Sequence, residues 1–327
     1  MRAKPLRFVV LLAALVVSVA FSLCIGTVWI PFGEIVTSLA GSGDQLIIVR
    51  DLRLPRILLA AMAGGGLAAA GAAYQGLFRN PLADPFIIGS ASGSALGATI
   101  VLILGLNAGA MGLTTISAGA FVGSLVATAI VFSMAAIGRS MNLTRLLLAG
   151  TAIGSAMNAL AWILLILGDK PIALIVSTLL GSFVGRGWPD VYAALPWMFV
   201  GISGLIAMSR SLDALAAGDE VARGLGLRVR LAVALVMTFA GLLVASSVAV
   251  GGVIGFVGLV APYLARAIVG HRHLLLIPAS TIVGAILLLL SDTFARSILS
   301  SSELPVGVIS ALLACPFFLF VLKRVAL

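Results

Sequence analysis

Charge is what this sequence has least of: Asp, Glu, Lys and Arg make up 9% of its 327 residues, against about a quarter in a soluble domain. With 61% hydrophobic residues and a mean hydropathy of +1.24, that deficit excludes a soluble globular chain. Lysine is nearly missing. Lys4, Lys170 and Lys323 are the full set, and none follows a glycine-rich turn, so no phosphate-cradling G-x-x-x-x-G-K-[ST] loop exists. If ATP drives this protein, another chain must hold and hydrolyse it. The two cysteines, Cys24 and Cys315, fall in apolar runs at opposite ends of the chain and read as small hydrophobes, which excludes a disulfide framework. The two histidines, His271 and His273, flank Arg272 at an expected interface and read as a solvated face. Ser90-Ala-Ser-Gly93 loosely suggests an intramembrane serine protease, yet no histidine lies inside a span to act as the base for Ser92. No catalytic residue and no metal site is therefore expected. All eleven acidic residues lie in loops or near the ends of apolar runs, whereas ion-coupled carriers commonly keep one inside a span.

What is present is long continuous apolar sequence. A β-barrel needs segments of roughly ten residues that alternate apolar and polar, and runs such as Phe8 to Ile30 do not alternate. The fold class is all-α and polytopic, with about 20 apolar residues per crossing. Ten spans are expected, at 6–30, 54–77, 86–106, 113–137, 143–168, 190–209, 231–250, 253–269, 274–294 and 304–322. The first is longer than a signal peptide's apolar region and has no small-x-small cleavage site, so it reads as a retained span. A further apolar segment, 171–184, is short and reads as a re-entrant or interfacial helix. Charge supports that choice. Ten spans with both termini cytoplasmic put 14 of the 20 basic residues inside, whereas an eleventh span would move the Arg210 to Arg230 group outside, against the positive-inside rule. Basic residues scattered at span ends mark topology and do not form a nucleic-acid-binding stripe.

Several motifs stand out. Ala60, Gly64, Ala68, Ala72 and Gly76 recur every four residues and form one row of small side chains, the kind of face on which membrane helices approach closely. Arg53-Leu-Pro-Arg56 opens the second span on the outer side, where basic residues oppose the helix dipole; they either pair with carboxylates of an external partner or snorkel. Asn80-Pro-Leu-Ala-Asp-Pro85 imposes a rigid turn at the inner side, as a gate or as a plain turn. Gly251 to Arg266 holds four glycines and Pro262, a backbone tolerated at membrane depth only against protein or a water-filled cavity. The longest polar interruption is Leu212 to Arg230. In it Asp213 is expected to cap residues 214–217, Gly218 to break the chain, Asp219 to cap Glu220 to Arg223, and Gly224 and Gly226 to end the second piece.

Taken together, Arg53-Leu-Pro-Arg56, Gln75 with Asn80-Pro-Leu-Ala-Asp-Pro85, Gly218-Asp-Glu220 with Leu225-Gly226, Gly255-Phe-Val-Gly-Leu259 with Pro262 and Arg266, and Glu303-Leu-Pro-Val-Gly307 resemble the permease family of ATP-binding-cassette (ABC) importers for iron–siderophore complexes, haem and vitamin B12. The resemblance covers the whole chain, 1–327, as one permease domain. It implies a bacterial inner-membrane protein that pairs with a second permease copy, two ABC ATPase subunits and a periplasmic substrate-binding protein. ATP and magnesium would sit on the ATPases, with no cofactor on this chain. It further implies that Arg53, Arg56 and Arg296 dock the binding protein, and that Asn80, Leu82, Leu143 and Thr144 form a cytoplasmic gate. Two coupling helices over about 212–226 would meet the ATPase through Asp213, Gly218, Asp219, Glu220 and Arg223. Met157, Asn158 and Phe256 are read as lining the pathway. Tyr263 stands where many relatives carry histidine, so no role is transferred there. Siderophore, haem, cobalamin and oxyanion all stay open as substrates.

Overall fold

The computed structural model describes residues 3–26, 28–105, 112–135, 143–168, 180–298 and 303–325, and all regular structure among them is helical. The order is α1 (Ala3–Cys24), α2 (Phe32–Leu39), a π-helical segment (Ile47–Arg53) running directly into α3 (Leu54–Phe78), a 3-10 turn (Pro85–Ile88), α4 (Ser90–Ile103), α5 (Gly112–Ala135), α6 (Leu143–Leu167), α7 (Trp188–Ala207), α8 (Ser209–Ala217), α9 (Asp219–Gly224), α10 (Val229–Gly251), α11 (Val257–Val269), α12 (His273–Ala295) and α13 (Val306–Val325). Each segment read as a span contains one of these helices. Among the described residues, seven helices are long and apolar enough to cross a membrane, by length and composition.

The molecule is built around α3, whose most apolar stretch is 83% buried, against 22% for α1 and 17% for α6. The row of small residues explains this position. A Cβ added to Gly64 would lie 2.2 Å from the Gly284 carbonyl oxygen on α12, and one on Gly284 would lie 2.3 Å from the Gly64 oxygen. The two backbones therefore touch. The same logic pairs α4 with α5, through Gly93 and Gly97 against Gly123 and Gly119. Helix α1 instead turns Val9, Val10, Val16 and Val17 outward, as a lipid-facing helix should.

Two of the expected spans hold short helices. Helices α4 and α11 have 14 and 13 residues, about 20 Å of helix against a hydrocarbon core of about 30 Å. The cause is long-range packing. Pro85 lies where a Cβ on Gly258 would be 2.5 Å from its ring, and Gly258 in turn packs on Leu67 and Gly71, well inside α3. After leaving the end of α3 the chain thus climbs back to its middle before α4 begins. Helix α11 also starts at that level, after an irregular segment with positive φ at Gly252 and Phe256 (72° and 69°). Helix α2 and the π-helical segment were not expected, and they carry the chain into α3 without a break at Arg53. Residues 171–179 of the expected short helix at 171–184 lie outside the described set. From Leu180 the chain is pinned, with the Ser182 N–H donating to Gly251 O (2.9 Å), the Val306 N–H to Gly181 O (2.9 Å), and Phe183 buried.

Candidate functional site

At the start of α3 three arginines are drawn inward. Arg53 is 5% exposed, and its guanidinium donates to the carbonyls of Leu23, Cys24 and Val28, the acceptors left open where α1 ends. Arg56 grips the fully buried Asp292 through Nε (3.0 and 3.1 Å) and Nη2 (2.8 Å), and reaches Glu303 through Nη1 (2.7 Å). Arg296 shares Asp292 at 3.9 Å and donates to the Ser22 hydroxyl (2.8 Å). Glu303, directly before the expected last span, thus serves as a counter-ion, and α13 begins three residues later. All three arginines border a cavity of about 500 Å³, together with Arg186, Asp51 and Glu303. Arginine outnumbers acid on its wall.

At the other end of α3 the chain turns sharply. The Arg79 N–H bonds Gly76 O (3.3 Å) and the Asn80 N–H bonds Gln75 O (3.1 Å), a Schellman closure. The Asn80 side-chain oxygen then accepts from the Leu82 N–H (2.9 Å), and Leu82 itself is exposed. Asp84 accepts from the Phe86 N–H (2.8 Å) and is held as well by the Phe256 N–H. One carboxylate so joins the approaches to α4 and α11. Asp84→Ala is expected to cost about 2 kcal/mol by stripping both amides of their acceptor. Thermal unfolding of the purified chain checks this, and an unchanged midpoint refutes the joining role.

Helices α8 and α9 lie against this turn. Leu212, Leu215 and Ala222 are buried, while Ala216, Glu220, Val221, Arg223 and Leu225 face outward. Gly218, at φ 127°, separates the two helices, and Gly226, at φ 78°, closes the second, with the Leu227 N–H on Ala222 O (3.0 Å). Two expected caps are corrected. Asp213 sits inside α8, which starts earlier than expected, and instead caps α12 by accepting the His273 N–H (3.0 Å) and meeting His273 Nδ1 (2.6 Å). Asp219 is the first residue of α9, and its side chain pairs with Arg79. His273, expected on a solvated face, is 4% exposed, because Gly76 leaves room for its ring.

Helix α6 carries the remaining feature. Thr151, Ser155 and Asn158 are exposed along it, with Met157 half-buried, a polar stripe that lipid does not favour. Phe256 is 41% exposed at the start of α11. Leu143 and Thr144 are the first residues of α6, and their side chains lie outside the described set. No group of three metal-ligating side chains occurs among the described residues.

The FecCD transport family model matches residues 14–324. The chain belongs to that family. This FecCD chain is 38% identical over 325 residues to the Fe(3+)-citrate import system permease protein YfmE of Bacillus subtilis, covering 98% of itself and 96% of that protein. It is also 38% identical over 280 residues to the hemin transport system permease protein HmuU of Yersinia pestis, with 84% and 82% covered. A solved metal-chelate type ABC transporter, in an inward-facing conformation, superposes with a TM-score of 0.85 at 32% identity, over 98% of this chain and 99% of that one. This FecCD chain is accordingly a multi-pass ABC permease, a transport subunit.

Two residues of the FecCD chain escaped the sequence reading. Arg79 looked like one more basic residue at a span end, and its only signal was its place directly before Asn80-Pro81. Arg186, which pairs with Asp190 at 3.1 Å and donates to Ser117 (2.6 Å), shares the cavity of the three arginines. Its position beside Gly185 and Gly187 did not point there.

Proposed function

We propose that this chain is the transmembrane subunit of an ATP-driven importer that moves a large metal chelate, a ferric siderophore or haem, into the cytoplasm of a bacterium. The observation that carries the proposal is the pair α8–α9, which presents an exposed face of Glu220, Val221, Arg223 and Leu225 in a chain with no phosphate-binding loop. Such a face fits a cleft on an ATPase, where ATP and magnesium reside. The permease forms one domain of ten spans in the inner membrane, with both termini cytoplasmic, and α8–α9 on the same side. Two copies stand together so that the α6 stripe, Met157, Asn158 and Phe256 face a shared pathway rather than lipid. The turn at Asn80 and Leu82, with Leu143 and Thr144, closes it below. A periplasmic binding protein delivers the chelate to the opposite end, where the arginine-rich cavity holding Arg53, Arg56 and Arg296 favours acidic side chains.

ATP binding closes the ATPase pair, which displaces α8 and α9 and exchanges the two access states. No bond is made or broken on this chain, and ATP acts by its different affinity for the two states. Ferric citrate and haemin uptake into proteoliposomes holding permease, ATPase and binding protein is the test. Uptake is expected only with ATP, and Glu220→Arg should lower it at least about tenfold, the effect of about 1.4 kcal/mol at one interface. Uptake by the permease alone, or uptake abolished by an uncoupler with ATP intact, would sink the proposal. Import of cobalamin in place of both would leave the mechanism standing and move the substrate to vitamin B12.

A further inference from the structure

Arg79 occupies a backbone position where glycine is the usual residue. It follows α3 at φ 52° and ψ 33°, in the left-handed region that a side chain disfavours. What the side chain does there is specific. Its Nε donates to Leu215 O on α8 (3.0 Å), and its Nη2 is paired with Asp219 on α9. One guanidinium therefore bridges both short helices across the break at Gly218 and ties them to the last turn of α3. The next residues are the turn itself, fixed by Asn80 N–H to Gln75 O (3.1 Å), Leu82 N–H to Asn80 Oδ1 (2.9 Å) and Ala83 N–H to Asn80 O (3.1 Å). Asp213 holds α8 to the start of α12 through His273, but α12 carries no part of the turn. Among the described residues, the side-chain hydrogen bonds that join both short helices to the end of α3, directly before the Asn80–Ala83 segment, are those of Arg79.

We infer that Arg79 is the connector through which displacement of α8 and α9 reaches the Asn80–Ala83 turn. The inference rests on the transport reading above and adds a positioning residue to it. A purely structural role predicts a different result for Arg79→Gly: glycine suits the left-handed backbone, and whatever the lost side-chain bonds cost in stability, the response of the turn to nucleotide should be unchanged.

The experiment uses the permease in complex with its ATPase in nanodiscs, with Cys24 and Cys315 replaced by alanine and Leu82→Cys as the reporter. Maleimide labelling is compared without nucleotide and after ATP with vanadate, which traps ADP and vanadate on the ATPase. With Arg79 present, nucleotide is expected to change the labelling rate about tenfold, and with Arg79→Gly less than about twofold, within the usual range of coupling between sites. Arg79→Lys should fall between, because an ammonium can meet Asp219 but lacks the planar fork that also reaches Leu215 O. Asp219→Ala, which leaves the end of α3 untouched, should reproduce the loss. A full response in Arg79→Gly and Asp219→Ala overturns the connector role alone. If the Arg79 form does not respond, the turn does not move with nucleotide, and both the gate reading and the connector role fall.

Discussion

Gly71→Val is expected to leave almost no folded chain to purify. A Cβ at residue 71 would stand 1.7 Å from the carbonyl oxygen of Gly258 and 2.6 Å from its carbonyl carbon. The obstacle is backbone, so no rotamer change relieves it. Separating α3 from α11 would also lift Gly258 off Leu67 O and Pro85, undoing the packing that seats the approach to α4. Overpacking a core costs roughly 1–3 kcal/mol when side chains can shift, and here they cannot, so a loss above about 3 kcal/mol is expected. Size-exclusion profiles and thermal midpoints of the detergent-solubilised chain measure it. Gly33→Val, where nothing lies within 4 Å, is the matched control. A normal midpoint for Gly71→Val would refute the close approach.

Asp292→Ala is expected to be nearly as severe. Its carboxylate is fully buried and answers two guanidinium groups, Arg56 at 2.8–3.1 Å and Arg296 at 3.9 Å. Removing it leaves Arg296 buried beside Arg53 and Arg56 with no carboxylate in ion-pair reach among the described residues, and Arg56 with Glu303 alone. Breaking a buried pair from one side costs about 3–5 kcal/mol. Glu303→Gln should cost under about 1 kcal/mol, because that carboxylate is 29% exposed and water already screens it. The same thermal measurement separates the two, and equal losses would show that burial does not set the balance. Replacing Arg56, Asp292 and Arg296 together by leucine or methionine should recover part of the loss, since an apolar set of similar volume avoids the desolvation cost.

What the sequence disclosed and what it hid divide along the range of each interaction. The row from Ala60 to Gly76 was legible because its period lies within one helix, and its partner face with Gly284 obeys the same rule. Gly218 and Gly226 were legible as breaks because left-handed backbone is a local demand. The caps assigned to Asp213 and Asp219 failed because their partners, His273 and Arg79, lie 60 and 140 residues away. Local spacing offered each carboxylate a nearby amide, and the fold offered a better partner, the His273 amide and ring for Asp213 and the Arg79 guanidinium for Asp219. The shortness of α4 and α11 was hidden for a similar reason. Apolar composition runs on beyond their ends, while contact with the middle of α3 decides where each begins. The inward turn of Arg53 depends on the end of α1 arriving beside it, which no motif around residue 53 announces.

The stripe of Thr151, Ser155 and Asn158 also bears on biogenesis. Thr151 donates its hydroxyl to Leu148 O (3.0 Å), but a newly inserted chain shows Ser155 and Asn158 to acyl chains until another surface or water covers them, and polar groups without partners are costly in hydrocarbon. With two copies paired as proposed, the interval between insertion and assembly is then a costly stage for the chain. How much of it accumulates in a cell should follow how quickly its covering surface arrives, more than how well the isolated chain folds.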